Sequence, residues 1–422
     1  MPKESVMADA EVRETVRSWL TEHWDINRPL DEWRECLVDG GWAAPAWPVE
    51  FFGRGYSVEQ AALVAQTFEE FGAVGPAQGG PRRLASHTLL THGNDAQKQA
   101  FLRQILTGEH GWCQLFSEPG SGSDLAGLST KAQRVGDRWI INGQKVWNTS
   151  AHHADYGLLL ARTDWDVPKH QGLSYFLIDM HQPGVEVRPL RQMNGHASFN
   201  EVFFSDAWVL PEHLLGAEGE GWSIAATTLS IERQGFSSER SGGRAKNLTG
   251  AIYDQYRSEL AVELAPYTWY PQRTGRVDLA YPRAKASGKI DDPALRQALA
   301  KLLSMKKSAD LTEALAAVKQ RAGNNRVSPE GSVGKLAASA IARQAAHVHT
   351  LISGAGAMLG GDDSAHEGVV AEILLSVPAI SIAGGTDEIQ KNIVAERVLG
   401  LPKEPRFDRG PFRDVPRNAV DN

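Results

Sequence analysis

Residues 116–150 read FSEPGSGSDLAGLSTKAQRVGDRWIINGQKVWNTS, and this segment decides how the chain divides into structural parts. Its second half carries Asn142-Gly143 between two apolar runs, a pair typical of a two-residue β-hairpin turn. Four further segments rich in Val, Phe and Tyr follow, with the sequences YGLLLARTD, LSYFLIDM, GVEVRPL and NEVFFSDAWVL. Because such residues favour strands, we predict an all-β block over residues 111–215.

Helical patterns precede the predicted β block. A first helix is predicted by apolar residues that recur about one turn apart, at Val12, Val16, Leu20 and Trp24. Ser57 and Gln60 have the spacing of a capping box, and Gly72 ends the helix that they begin. The segment DAQKQAFLRQILTG predicts another helix closed by a glycine. The N-terminal part of the chain should therefore be helical.

The helical period returns at GEGWSIAATTLSIERQGFSS and persists almost to the C-terminus. Within a segment rich in prolines and basic residues, DPALRQALAKLLSMKKSADLTEALAAVKQRAG predicts one or two helices. We therefore predict an α+β fold. Its parts are an N-terminal helical domain at 1–110, a middle β domain at 111–215 and a C-terminal helical domain at 216–422 with an atypical segment at 266–332.

Composition narrows the classes of function. The formal net charge of −7 and the pI near 6.0 disfavour nucleic acid and anionic membranes as partners, because both attract basic surfaces. Two cysteines, Cys36 and Cys113, are too few for a disulfide framework, and no apolar run approaches the ~20 residues that span a bilayer. We expect a cytoplasmic protein with no membrane segment and no metal site.

The segment 116–150 resembles the acyl-CoA dehydrogenase family over its whole length. The resemblance recurs in GWAAPAWPVEFFGRG, in NEVFFSDAWVLPEHLLGAEGEGW and in GGTDEIQKNIVAERVLGLP, so it covers most of the chain outside residues 266–332. It implies the helical–β–helical organisation, with FAD bound between the β domain and the C-terminal helices. It also implies an acyl-CoA substrate, electron transfer to an electron-transfer flavoprotein and an oligomer, with a homo-oligomer as the simpler expectation.

The resemblance also implies which residues form the site. The expected FAD contacts are Phe116, Ser117, Trp147, Thr149, Gly385, Thr386 and Glu388, and the expected substrate contacts are Ser123 and Arg233. Ser117 would bond the pyrimidine edge of the flavin, Trp147 would cover its ring, and Gly385 and Thr386 would meet the nucleotide. Each residue taken singly has an ordinary explanation. Trp147 could be core packing, and Thr386 could be an N-cap.

Gly384, in SIAGGTDEIQ (381–390), stands where many members of this family carry the glutamate that removes the substrate α-proton. Its backbone N–H could still bond the thioester oxygen, but it cannot accept the proton. The alternative base is Glu232, which lies on a helical stripe together with Trp222, Ala225, Ala226, Leu229 and Phe236. Isovaleryl-CoA and long-chain members place their base on this helix, before an arginine, and they have glycine at the other position.

Other interpretations of these acids stay open. Glu232 could extend into solvent or pair with Arg233. Asp387 and Glu388 are closer to the vacated position, but acids in the first turn of a helix usually complement the helix dipole. The sequence is also compatible with another flavoenzyme on the same scaffold, such as an oxidase, a desulfinase or a monooxygenase.

Two family features are missing. The Arg-x-x-Phe-Gly segment that reaches a neighbouring subunit's FAD pyrophosphate is absent, and Leu351 stands near the place of a glutamine that contacts the adenine half. Arg257 or Arg273 could substitute for the arginine. The pattern resembles bacterial members that act on bulky acyl chains such as steroid side chains, some of which pair with a flavin-free subunit. A cofactor-free partner subunit of a hetero-oligomer is therefore a further alternative.

Overall fold

A computed structural model describes residues 9–235, 248–321, 330–364, 366–405 and 408–415. The chain begins with α-helices, continues as a β-sheet and ends in a second set of helices, as predicted. The N-terminal helices are α1 (Asp9–His23), α2 (Leu30–Asp39), α3 (Val58–Phe71), α4 (Gly80–His92) and α5 (Asp95–Thr107). None of the helices in the described ranges is both long enough and apolar enough to cross a membrane.

The N-terminal helices form where the sequence pattern predicts them. The apolar stripe of α1 is fully buried, at Val12, Val16 and Leu20. Ser57 and Gln60 form the predicted capping box at the start of α3, and Gly72 ends that helix with a left-handed φ of 73°. These predictions are confirmed because local capping and one buried face suffice to specify each helix.

The middle of the chain is one eight-stranded sheet. Its strands are β1 (Trp112–Leu115), β2 (Lys131–Val135), β3 (Arg138–Thr149), β4 (Tyr156–Arg162), β5 (Leu173–Asp179), β6 (Val185–Leu190), β7 (Phe199–Val209) and β8 (Leu214–Leu215). They lie in the order β6-β7-β3-β2-β4-β5-β8, and β1 pairs in parallel with β4. One face packs on helices α4 and α5 through a core that includes Phe101, Trp112 and Leu160.

The predicted turn at Asn142-Gly143 is wrong. The β2–β3 turn lies at Gly136-Asp137, and Asn142 and Gly143 lie inside β3, where Asn142 pairs with Lys131. Gly143 has φ 148° at a register shift against β7, and a Cβ there would lie 2.6 Å from the Thr130 side chain. The glycine is therefore required by a close approach of two chain segments within the sheet, and not by a hairpin turn.

The C-terminal helices follow the sheet. They are α6 (Gly221–Gly235), α7 (Ala251–Leu264), α8 (Tyr270–Arg273), α9 (Val277–Ala286), α10 (Pro293–Arg321), α11 (Glu330–Ser353), α12 (Val369–Ser376) and α13 (Asp387–Arg397). The atypical segment supplies α8, α9 and the single long helix α10. Helix α11 packs on α6, α9, α10, α12 and α13, so it is the common support of this part of the chain.

Ion pairs join the first and last helical parts. The guanidinium of Arg34 in α2 is almost fully buried and makes a two-pronged contact with Glu259 in α7, with one N···O distance of 2.9 Å. Arg82 in α4 binds Glu263, also in α7. Because a buried guanidinium without its carboxylate is unfavourable, these pairs help to hold α7 on the N-terminal helices.

We expect Glu259→Gln to lower the free energy of unfolding by about 3 kcal/mol, because it leaves the buried Arg34 charge unpaired. The matched control is Glu35→Gln, since Glu35 pairs with Arg103 at the surface and its loss should cost less than about 1 kcal/mol. Chemical denaturation of both variants measures the difference. Equal losses in the two variants would contradict this account of the α2–α7 contact.

Candidate active site

A buried ion pair holds the loop that follows β1. Lys145 in β3 is fully buried, and its Nζ donates to the Phe116 carbonyl at 2.9 Å and to Glu118 Oε1 at 2.8 Å. The Glu118 carboxylate also accepts the backbone N–H groups of Ser129 (2.7 Å) and Thr130 (2.8 Å). The start of the loop, at Phe116, is therefore bound by Lys145, and its end, at Ser129 and Thr130, is bound by Glu118.

The charge state of this pair follows from its surroundings. Burial by itself would raise the pKa of Glu118, but the charge of Lys145 and the hydrogen bonds from Lys145, Thr130 and Ser129 outweigh burial and lower it. Burial lowers the pKa of Lys145, and Glu118 opposes that shift. Glu118 is thus held as a carboxylate at neutral pH, as a buried charge with a satisfied partner should be.

Ser117 and Trp147 are brought side by side. The backbone N–H of Val146 donates to the Ser117 carbonyl at 2.9 Å. Trp147 follows at a bulge in the β3–β7 ladder, with φ 66°, and its side chain is 55% exposed. This exposure excludes core packing as the role of Trp147 within this chain. A large aromatic ring held outward on strained backbone is a feature that clusters at ligand sites.

The neighbouring predicted contacts differ in exposure. Phe116 is buried with its ring against Tyr175 (5.8 Å between centroids), so its side chain packs in the core. Thr149 is half-buried at the end of β3, and Ser123 is exposed. The residue after Ser123, Asp124, binds Lys169 at 2.7 Å. The loop is therefore fixed through Asp124, while Ser123 stays accessible to solvent.

The Gly384 turn begins helix α13. Gly384 and Gly385 both have left-handed backbone, with φ 66° and 85°. Thr386 is the N-cap of α13, since its Oγ1 accepts the Ile389 N–H at 3.3 Å. Within the described residues, the N–H groups of Gly384, Gly385 and Thr386 have no protein acceptor. Unpaired donors at a helix N-terminus are suited to an oxygen or anion of a ligand.

The acids beside this turn are unsuited to proton abstraction. Asp387 is buried and paired with Lys335 (2.8 Å) and Arg343 (2.9 Å), both from α11. Burial would raise the pKa of Asp387, but hydrogen bonds from Lys335, Arg343 and Ser339 outweigh it and lower it strongly. A carboxylate stabilised in this way is a weak base. Glu388 is exposed on the first turn of α13 and lies near Lys391.

Glu232 lies half-buried in the last turn of α6. It is one turn beyond Thr228, which is fully buried and shares hydrogen bonds with Tyr175 (3.0 Å) and Thr88 (2.9 Å). The predicted stripe is correct for Ala225, which is buried, but wrong for Ala226, which is exposed. The Arg233 side chain and Phe236 lie outside the described residues.

The predicted site residues therefore form two groups. Ser117 lies in the loop after β1 and Trp147 in β3, whereas Gly384 to Thr386 lie at the start of α13. Helix α11 packs on α6, which carries Glu232, and it also holds α13 through Asp387. The positions of α6 and of the glycine turn are thus set by the same helix.

Both candidates for the missing arginine are engaged by neighbouring groups. Arg273 is buried, with its guanidinium 4.9 Å from the centre of the Tyr270 ring. Arg257 donates to the Leu248 carbonyl at 2.8 Å and also binds Asp254 in its own helix. Both guanidinium groups are held by neighbouring residues of their own chain.

Sequence reasoning missed Lys145 and Glu118. A signal was available, because Trp139, Ile141 and Lys145 have the same parity on one strand and so share its inward face. An inward lysine requires a buried acceptor, and Glu118 lies in the same quoted segment. Gln390, the fourth residue of α13, was also missed and is fully buried.

Three family models match the chain in succession. The acyl-CoA dehydrogenase N-terminal domain matches residues 4–109, the middle domain residues 113–207 and the C-terminal domain residues 277–399. Together they cover most of the chain, in the order of the helical, β and helical parts described above.

Individual relatives match over shorter stretches. Acyl-CoA dehydrogenase FadE34 of Mycobacterium tuberculosis is 46% identical over 209 residues, 49% of this chain and 29% of that protein. Acyl-CoA dehydrogenase IpdE1 of the same organism is 41% identical over 201 residues, 48% of this chain and 52% of that protein. Mitochondrial isovaleryl-CoA dehydrogenase of Pongo abelii is 30% identical over 237 residues, 55% of this chain and 56% of that protein. The matches therefore span from 29% to 56% of these relatives.

Solved structures share the fold over nearly the whole chain. The ChsE4-ChsE5 complex from Mycobacterium tuberculosis matches with a TM-score of 0.63 at 24% identity, covering 96% of this chain and all of that chain. The structure titled Tcur3481-Tcur3483 steroid ACAD matches with a TM-score of 0.64 at 22% identity, covering 96% of this chain. At such identities the likeness shows the fold.

We expect Lys145→Met to destabilise the protein by about 3–5 kcal/mol, because it leaves the buried Glu118 carboxylate unpaired. Adding Glu118→Gln should recover part of the loss, since the charge is then removed. Lys131→Met on the exposed face of β2 is the control and should change stability by less than about 0.5 kcal/mol. Denaturation curves that show no recovery in the double variant would contradict this pairing.

The lowered pKa of Asp387 predicts a pH dependence. An acid with a lowered folded-state pKa contributes stability above its unfolded pKa, about 3.9, and loses it as the pH falls toward the folded value. The difference in melting temperature between wild type and Asp387→Asn should be full above about pH 5 and should shrink below about pH 4. Glu388→Gln, at the exposed neighbour, should show no such trend. A difference independent of pH would refute the ionised pairing.

Proposed function

The chain belongs to the acyl-CoA dehydrogenase family, and we propose on that basis that it is an FAD-dependent oxidoreductase that converts an acyl-CoA thioester to its α,β-enoyl-CoA. The observation that carries the proposal is the outward Trp147 ring, held at a left-handed bulge beside Ser117. A flavin site needs a flat aromatic wall next to polar groups, and these two residues supply both.

The residues present fit FAD. Trp147 and Thr149 would cover the ring from β3, and Ser117 would bond its polar edge. Gly385, Thr386 and Glu388 would meet the nucleotide at the start of α13, where the first two offer unpaired N–H donors. When bound, FAD supplies the acceptor for the hydride that leaves the substrate β-carbon. The family is flavin-dependent, which supports the same assignment.

Glu232 is the proposed proton acceptor at the substrate α-carbon. Gly384 has no side chain, Asp387 is engaged by two cations, and Glu388 is exposed. Glu232 is half-buried, and the helix that carries it is attached to the common support α11. A half-buried carboxylate can combine access to the substrate with exclusion of bulk water, which a general base needs.

The Gly384 N–H is the proposed donor to the thioester oxygen. Removal of the α-proton moves charge onto that oxygen, so a fixed donor lowers the energy of the transition state. Gly384 can adopt its φ of 66° without strain because it lacks a Cβ. Ser123 and Arg233 would contact the CoA part and the rest of the substrate. A residue without a side chain at this place is proposed to admit branched or bulky acyl groups.

The proposed partners are an acyl-CoA, an electron-transfer flavoprotein and further copies of this chain in a cytoplasmic homo-oligomer. A cofactor-free partner subunit is the second candidate, because Arg257 and Arg273 are held within their own chain and Leu351 replaces the expected glutamine. The two candidates differ in colour. A purified protein with bound FAD is yellow, whereas a cofactor-free subunit is colourless.

We expect Glu232→Gln to keep FAD bound and to abolish bleaching of the flavin by acyl-CoA, since the amide cannot accept the α-proton. The experiment is anaerobic mixing with straight, branched and steroid-type acyl-CoAs, followed by absorbance of the flavin. Glu14→Gln, at an exposed position of α1 outside the candidate site, is the control and should leave the bleaching rate unchanged. Undiminished bleaching in Glu232→Gln would exclude Glu232 as the base.

A further inference from the structure

Gln390 is a fully buried amide directly behind the Gly384 turn. Its Nε2 donates to the Gly384 carbonyl at 2.9 Å and lies 3.4 Å from the Gly385 carbonyl. Among the described residues, its Oε1 is buried without a hydrogen-bond partner. A buried amide with one unmet acceptor is costly, and the contacts of its Nε2 with the turn offset part of that cost.

The peptide bond converts this contact into the direction of a donor. Because a trans peptide is planar, the N–H of Gly385 points opposite to the Gly384 carbonyl. A carbonyl drawn inward by Gln390 therefore turns the Gly385 N–H outward. Gln390 also contacts the Gly385 carbonyl, at the longer distance of 3.4 Å, and this contact turns the N–H of Thr386 outward for the same reason. Both N–H groups have no protein acceptor in the part of the chain that the structure describes.

The packing is specific to glycine at this position. A Cβ on Gly385 would lie 2.6 Å from Gln390 Nε2, and its φ of 85° disfavours any other residue. The start of α13 is fixed independently, because Asp387 is bound to Lys335 and Arg343 of α11. Lys335 and Arg343 carry two positive charges against the one negative charge of Asp387. The net positive charge adds to the positive end of the helix dipole.

We propose that Gln390 is a positioning residue that turns the Gly385 and Thr386 N–H groups toward the oxygen acceptors of bound FAD. This inference rests on the proposed function, and it assigns to Gln390 no contact with cofactor or substrate. It predicts that the side-chain amide of Gln390 controls cofactor affinity through the backbone.

The test is titration of the full-length protein, stripped of flavin, with FAD. Gln390→Met keeps an unbranched side chain of similar size but removes the donor, and we expect the dissociation constant to rise about tenfold. Gln390→Glu should weaken binding as well, because a carboxylate has no N–H to donate. The matched control is Gln344→Met. Gln344 donates from α11 to the Ala298 carbonyl at 3.0 Å, and its loss should lower stability without changing FAD affinity.

The outcomes separate this inference from the proposed function. Unchanged FAD affinity in Gln390→Met, with normal binding by wild type, overturns the role of Gln390 and leaves the proposed function standing. Absence of FAD binding by wild type overturns both. If Gln390→Met does not fold, the inference is tested by amide hydrogen exchange of the wild-type protein with and without FAD. FAD should slow exchange at the Gly385 and Thr386 amides, and unchanged exchange there overturns the inference.

Discussion

The buried ion pair of Glu118 and Lys145 is the interaction on which the candidate site depends. Lys145 comes from the interior of β3, whereas Glu118 comes from the loop after β1, so the pair joins two segments that the sheet ladder does not connect. The hydrogen bonds described for the pair all involve the segment between β1 and β2. Lys145 donates to the Phe116 carbonyl and to Glu118, and Glu118 accepts from the N–H groups of Ser129 and Thr130. With its charges satisfied internally, the pair can be buried and can hold Ser117 at a fixed place beside Trp147.

The second half of the site depends on α11. This helix binds Asp387 with two cations, and it also packs on α6, where Glu232 lies. Glu232 on α6 and the glycine turn before α13 can therefore keep a constant relation although they are far apart in sequence. The proposed base and the proposed donor to the thioester oxygen thus share one supporting helix.

Local patterns predicted the helices and strands well, and one tertiary contact explains the clearest error. The capping box at Ser57 and the stripe of Val12, Val16 and Leu20 are properties of a few neighbouring residues, so the sequence alone suffices for them. Asn142-Gly143 also has a strong local preference for a turn. It lies inside a strand because Asn142 exchanges hydrogen bonds with Asp206 (2.9 and 3.0 Å) and Gly143 passes close to Thr130.

The sequence by itself determined the order of helical and β parts, the family resemblance and the absence of a carboxylate at position 384, since each is a property of residue type and spacing. Only the tertiary structure decided that Trp147 is turned outward, that Asp387 is neutralised by Lys335 and Arg343, and that Gln390 lies behind the glycine turn. The physical reason is that a bulge, a buried charge pair and a peptide orientation each depend on partners from separate segments. Such partners meet only when the chain has folded.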